Sequence, residues 1–205
     1  MGVAERKLRE KEQLKNLILS GAKKLFLEKG IEKTTIRNIA DEIDYSIGTV
    51  YVYFKDKDEI FNGLHSQGFQ QLRSLMLPLL KVNDPMERLK ALGHIYVDFA
   101  LDNPDMYELM FSMKAPMAYL EKARMDEWNE GQATFEILRK TVGDCLEKGH
   151  FQGHQLNPLT YLIWGTVHGI CSFNSNGRIM CVQEEPSEEL VRSSYEEFTS
   201  LMERF

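Results

Sequence analysis

No apolar run in this 205-residue chain is long enough to cross a bilayer, so an integral membrane protein is not expected. The opening stretch Met1–Gln13 is charged and mixed in sign, without the apolar centre of a secretory signal, and a cytoplasmic location is expected. Cysteine is scarce. Cys145, Cys171 and Cys181 are an odd set without CxxC spacing, which argues against a disulfide framework. They read as reduced packing residues, with Cys171 and Cys181 the one pair to consider for thiol sensing. The fingerprints of a serine hydrolase, a zinc protease, a P-loop or a dinucleotide site are missing, so no enzyme class and no cofactor is indicated. His150 and His154 have a ligand-like spacing. Gly149 and Gly153 put them in a loop with no thiolate or carboxylate cluster beside them, and no metal site is expected. No segment alternates with period two, and no repeat or low-complexity tract interrupts the chain.

What the chain has is helical periodicity. With 43% hydrophobic and 27% charged residues it suits an ordinary globular core. Leu14, Leu17, Ile18, Ala22, Leu25 and Phe26 recur at helical spacing, and Gly30 is placed to end that helix. Ile36, Ile39, Ala40 and Ile43 follow, with Thr35 as N-cap. Ser46 caps a short third helix carrying Val50 and Phe54. Asp56 opens a fourth, with Glu59 as its reciprocal partner, running through Ile60, Leu64, Leu72 and Leu75 to Pro78. Asp84-Pro85, Asn103-Pro104 and Asn157-Pro158 each offer a cap followed by proline at the first helical position, and Pro116 and Pro186-Ser187 suggest two more starts. The expected fold is all-α with about nine helices.

Charge is unevenly placed. The net charge is −6, yet the first forty residues hold ten Lys and Arg against five Asp and Glu. A basic end and an acidic body fit a nucleic-acid partner at one end only. In that end two helices of about two turns, joined by Asp44-Tyr45, make a helix-turn-helix whose second helix fits a major groove. Gly48 lets the backbone approach DNA. Ser46 and Thr49 bring short hydroxyls, and Tyr51 and Tyr53 reach further. Amides at the starts of the second and fourth helices, with Lys57 beside the latter, favour phosphate, and Arg37 adds a charged contact. Tyr51 and Tyr53 have a packing reading too, as wedges between helices.

Thr35-Ile36-Arg37-Asn38-Ile39-Ala40, Ser46-Ile47-Gly48-Thr49-Val50-Tyr51-Val52-Tyr53-Phe54 and Lys57-Asp58-Glu59-Ile60 resemble, at fixed spacing, the pattern of the TetR family of bacterial transcriptional regulators. The chain departs from it at Asp44, where the family usually has glycine, and Asp tolerates a left-handed backbone better than most residues. Ile47 replaces the polar or basic residue of many relatives, leaving a thymine methyl contact or plain packing as its roles. The resemblance implies a homodimeric, ligand-responsive repressor, with a DNA-binding domain over residues 1–64 and a helical effector-binding and dimerisation domain over 65–205. Its implied partners are double-stranded DNA and a small-molecule effector of unknown identity.

A second resemblance, to the W…HG type of C-terminal domain in such regulators, rests on Asn103-Pro104-Asp105-Met106-Tyr107-Glu108-Leu109-Met110-Phe111 and Trp164-Gly165-Thr166-Val167-His168-Gly169. It implies an apolar effector cavity drawn from Tyr96, Phe99, Met106, Met110, Phe111, Met113, Trp128, Trp164 and His168. The methionines have two open readings, adaptable pocket lining or core filling. His168 reads equally as a hydrogen-bonded packing residue. The last helix carries Leu190, Ser194, Phe198, Leu201, Met202 and Phe205 on one side, a stripe suited to a symmetry mate. Two other functional classes remain: an enzyme, which turnover of an effector would reveal, and an adaptor whose head no longer reads DNA.

Overall fold

The computed structural model describes residues 2–113, 129–181 and 188–204. Among them are nine α-helices, two short 3-10 turns and no strand. The helices are α1 (Val3–Lys29), α2 (Ile36–Glu42), α3 (Ile47–Tyr53), α4 (Lys57–Met76), α5 (Pro85–Asp102), α6 (Pro104–Phe111), α7 (Asn129–Glu147), α8 (Leu156–Ser175) and α9 (Glu188–Met202). The chain is all-α. The suggested helix starts at Pro116 and Pro186-Ser187 lie outside the described residues, as does Trp128.

By compactness the described residues form two units, one of residues 2–67 with 112–113 and one of 68–111 with 129–204. The first unit closes around Ile18, Ala22 and Phe26 of α1, Ile39 and Ala40 of α2, Val50 and Phe54 at α3, and Ile60 and Phe61 of α4, all nearly or fully buried. Small residues set how closely the helices approach. A Cβ on Gly21 would lie 2.5 Å from Ile43 Cγ2, and one on Gly63 would lie 3.1 Å from Leu19 Cδ2. Gly30 ends α1 at φ 79°, and the buried Thr34 hydroxyl donates to the Gly30 and Leu25 carbonyls at the close of that turn. Leu17 departs from its expected core role. It is 42% exposed, because it sits one position off the stripe that faces α2 and α4.

In the second unit α5 is the central helix, packed on α6, α7, α8 and α9. Its core joins Met86 and Leu89 to Val142 and Cys145 of α7, Leu159 and Ile163 of α8 and Met202 of α9. Fully burying side chains of this size stabilises by about 1.5–3 kcal/mol each. The buried Arg88 is held on all three nitrogens. Nε donates to Thr141 Oγ1 at 3.2 Å, Nη1 to the Val82 carbonyl at 2.8 Å and Nη2 to the Asp144 carboxylate. Such a charge is tolerated only when paired this fully.

Three helix ends test the Asx-Pro reading. Asp84 behaves as expected, accepting from the Met86 and Glu87 amides at 2.9 Å each, and the Glu87 bond above all holds its carboxyl below the usual range. Asn103 does not cap α6 with its side chain; Nδ2 turns back to the Phe99 carbonyl and Oδ1 accepts from Gln71. At Asn157-Pro158 the helix starts two residues earlier, after Gln155, so Pro158 is the third helical residue. Its missing N–H still falls among those the first turn leaves free.

The exposed Leu75 also departs from its expected stripe in α4. On α9 the buried residues are Val191, Tyr195, Thr199 and Met202. The stripe expected to meet a symmetry mate therefore divides. Met202 joins the protein's own core, Phe198 packs partly against it, and Leu201 stays 45% exposed.

Candidate functional site

The helix-turn-helix is built from local bonds. Thr35 closes a capping box on α2: its Oγ1 accepts from the Asn38 amide at 3.1 Å, and Asn38 Oδ1 accepts from the Thr35 amide at 3.0 Å. Asp44, at φ 56°, makes the left-handed turn that the family usually gives to glycine. Ser46 Oγ then caps α3 by accepting from the Thr49 amide at 3.0 Å, and the two hydroxyls lie 2.8 Å apart. Asp56 Oδ1 accepts from the Glu59 amide at 2.8 Å, while the Glu59 carboxylate reaches back to the Lys55 amide. The reciprocal bond thus lands one residue before Asp56.

These bonds orient α3 so that Val50 and Phe54 are buried, while Gly48, Tyr51 and Val52 face outward. Tyr51 is 54% exposed and Val52 74%. Thr35, Arg37 and Ser46 are exposed; Ile47, Thr49 and Tyr53 are half-buried. A Cβ added at Gly48 meets nothing closer than Ser46 Oγ at 3.6 Å, so nothing within the chain requires glycine there. Sequence reasoning passed over Val52, although it stands one turn after Gly48 and is β-branched on a polar face. Lys57 is half-buried beside the start of α4. Its ammonium donates to the Ile31 carbonyl at 2.5 Å and approaches the Glu32 carbonyl at 3.4 Å, tying α4 to the end of the α1 turn.

A second constellation lies within the other unit. The hydroxyls of Tyr96 and Tyr107 sit 3.0 and 2.9 Å from His168 Nδ1, and Tyr107 also donates to the His168 carbonyl at 3.3 Å. Phe111 packs on His168 at 5.0 Å between ring centres, and Trp164 lies 5.8 Å from it. Phe135 and Tyr161 meet Trp164 edge-on at 5.8 and 5.6 Å, and Phe69 meets Phe111 at 5.6 Å. Burial pushes both tyrosine pKa values up and the His168 value down, so all three are neutral near pH 7. Cys171 is buried as well, its thiol pushed up to about 12 by burial, and Cys145 likewise. Neither has the thiolate character of a sensor.

Of the residues expected to line a cavity, Tyr96, Phe111, Trp164 and His168 come together here. Met106 and Met110 are buried against Gly68 of α4, where an added Cβ would lie 2.4 Å from Met110 Sδ, which is a packing role. Phe99 is 1% exposed in the core and Met113 lies beyond the end of α6. Tyr107, Phe135 and Tyr161 are members that the sequence reading did not assign. Tyr107 was the most accessible of them, one turn before Phe111. His150 and His154 flank Phe151 in a turn, with Gly149, Phe151 and Gly153 all at positive φ. Among the described residues no helix is long and apolar enough to cross a membrane.

A capped helix-turn-helix with an outward-facing second helix, in a chain whose second unit is a helical bundle, defines a DNA-binding transcriptional regulator of the helix-turn-helix class. Residues 18–64 match the model for bacterial regulatory proteins of the tetR family, and residues 89–198 match the model for a tetracyclin repressor-like C-terminal domain. The chain belongs to the TetR family. It is 49% identical over 49 residues to the HTH-type transcriptional regulator HbdR of Aromatoleum sp. (strain CIB), a match covering 24% of this chain and 21% of that protein. It is 33% identical over 58 residues to the HTH-type transcriptional repressor Rv1474c of Mycobacterium tuberculosis, covering 28% and 31%. These matches therefore span less than a third of the curated relatives' length. Among solved structures, FadR of Bacillus subtilis in complex with stearoyl-CoA aligns with a TM-score of 0.71 at 17% identity, over 88% of this chain and 95% of that one. PfmR of Thermus thermophilus aligns with a TM-score of 0.68 at 21% identity, over 91% and 97%. At these identities the likeness is one of fold.

Proposed function

We propose that this regulator is a homodimeric repressor that binds a palindromic operator in the cytoplasm and is released by a small, largely apolar molecule. The observation that carries the DNA half is the outward face of α3. Gly48, Tyr51 and Val52 are presented to solvent while Val50 and Phe54 fix the helix from behind. In this reading Gly48 lets the backbone approach, Tyr51 and Tyr53 reach bases or phosphate, and Ile47 and Val52 meet thymine methyls. Thr35, Arg37, Ser46 and Thr49 hold the flanking phosphates, and Lys57 acts by keeping α4 and its N-terminal amides in place.

The dimer reading is supported by α8. Leu162 and Phe173 are 63% and 57% exposed, with Gly165 and Gly169 between them at helical spacing. A Cβ on either glycine meets nothing within the chain, so the face is small, apolar and free for close helix approach. Leu201 of α9, a helix that packs on α8, adds to it. The effector reading is supported by the aromatic constellation of Tyr96, Tyr107, Phe111, Trp164 and His168. Phe111 touches Phe69 of α4, and α4 begins at Lys57 beside the recognition helix. A ligand that displaces Phe111 would act on a helix shared with the DNA-reading end.

The test is selection of genomic fragments by the purified protein, followed by a salt titration on the winning site. A palindrome with half-sites about 34–36 Å apart, bound with affinity that falls steeply with salt, is expected. Failure to enrich any sequence would overturn the reading.

A further inference from the structure

From Tyr45 to Phe54 the chain carries no Arg, Lys, Asn, Gln, Asp or Glu, so α3 has neither a charge nor an amide on any face. Those are the groups whose hydrogen bonds single out guanine, adenine or cytosine in a major groove. What α3 turns outward is short. Val52 is 74% exposed and follows Gly48 by one turn, and the half-buried Ile47 opens the same side. Nothing in the fold asks for valine at 52, where a β-branched side chain lowers helix propensity and packs on little of its own chain. The hydroxyls nearby discriminate poorly. Ser46 Oγ accepts from the Thr49 amide, and the two hydroxyls bond each other at 2.8 Å. A hydroxyl that remains, like that of Tyr51, can donate or accept and so suits either kind of base pair. The charged neighbours lie outside α3, at Lys33, Arg37, Asp44 and Lys55.

We infer that α3 tells base pairs apart by the methyl group of thymine, with Ile47 and Val52 as the readers, so that each half-site carries two thymines and needs no guanine contact from this helix; this rests on the reading that α3 enters a major groove. Of the four bases thymine alone presents a methyl there, and an aliphatic side chain meets it without losing a hydrogen bond. The contact takes out of water two apolar groups that are otherwise exposed, one on each partner. Reach matters as well. Valine is short, so its methyls touch a base only where the helix backbone lies close to the groove floor. Gly48 allows that approach, since a Cβ there would meet only Ser46 Oγ at 3.6 Å and the helix is bare beside Val52. Spacing follows from the helix. Five residues separate Ile47 from Val52, which puts their Cα atoms about 9 Å apart, or two to three base-pair steps of about 3.4 Å. A 5-methylcytosine carries the same methyl at the same place, and α3 accepts it in place of thymine.

The test uses the full-length protein and the operator found by selection, in gel-shift titrations on synthetic duplexes. Each thymine in turn is replaced by uracil, which removes only the methyl. Two positions per half-site, two or three steps apart, are expected to lose affinity about fourfold each, the worth of one buried methyl. At those positions a C·G pair should bind weakly, and a 5-methylcytosine·G pair should recover most of the loss. Val52→Ala, a change at an exposed site, should erase the uracil penalty at one position and leave it at the other. Replacing each guanine by 7-deazaguanine, which removes the N7 acceptor, should cost less than loss of the methyls. Insensitivity to uracil, no recovery with 5-methylcytosine, a larger loss with 7-deazaguanine, or an unchanged uracil penalty in Val52→Ala would each overturn the inference. An enriched site with any of those results leaves the DNA-binding reading standing, whereas enrichment of no sequence removes both.

Discussion

At the residue scale, Gly48, Lys57 and His168 each carry a different kind of consequence. Gly48 is helical and open to solvent, and alanine is the better helix former by about 1 kcal/mol. Gly48→Ala should therefore raise the melting temperature slightly while weakening operator binding at least tenfold. An unchanged affinity in a gel-shift titration would remove DNA from the reasons for glycine there. Lys57 looks like a phosphate contact in a sequence pattern, and the structure adds a bond from its ammonium to the Ile31 carbonyl. That bond was not legible, because the partner lies in a loop 26 positions earlier. His168 sets a pH dependence. Burial lowers its pKa below 6.5, so under that pH the unfolded chain takes up a proton that the folded imidazole resists. Its contribution to stability is present above pH 6.5 and is lost as pH falls through the folded value. Urea midpoints measured between pH 7.5 and 5 should fall toward acid, and His168→Gln should flatten that fall.

At the element scale, helix starts and helix contacts differ in how well they can be read. The caps at Thr35, Ser46 and Asp84 were legible since each bond closes within three residues of its cap. Asn103 failed because two partners, Phe99 on one side and Gln71 on another helix, compete for its amide. Gly93 of α5 had no local signal at all. It lets Tyr195 of α9 cross α5, where the hydroxyl donates to the Lys90 carbonyl at 2.7 Å. A Cβ at Gly93 would lie 2.0 Å from that hydroxyl oxygen. Gly93→Ala is expected to destabilise by about 1–3 kcal/mol, a cost typical of overpacking. In a Tyr195→Val background the same substitution should cost much less. Equal costs in the two backgrounds, measured by denaturant unfolding, would show that the clash relaxes by another route.

At the scale of the whole molecule, the proposal depends on pairing two copies through α8. Leu162→Glu places a charge on its most exposed apolar stretch without touching the buried residues of that helix. Sedimentation should show a dimer for the parent chain and a monomer for the variant, with operator affinity falling by more than a hundredfold because two half-sites no longer bind as one. A variant that stays dimeric would move the interface to another face. Salt offers a second check. If three phosphates are held by each head, the log–log slope of affinity against salt should be about −5 for the dimer, and about half of that for the monomer.

The sequence alone determined the periodic, the punctuated and the local: an all-α chain, the capped helix-turn-helix with Asp44 in its left-handed turn, and the family pattern from Thr35 to Ile60. These follow from interactions within one or two helical turns, where spacing along the chain is nearly the same as spacing in space. Only the tertiary structure decided which apolar stripe meets a neighbour. It divided the methionines of α6 from the rings that join His168, turned Met202 inward and Leu201 outward, and gave Tyr96 and Tyr107 a common partner some sixty to seventy positions away. Helical periodicity marks a face as apolar but does not name what covers it, because that depends on the packing of helices far apart in the chain.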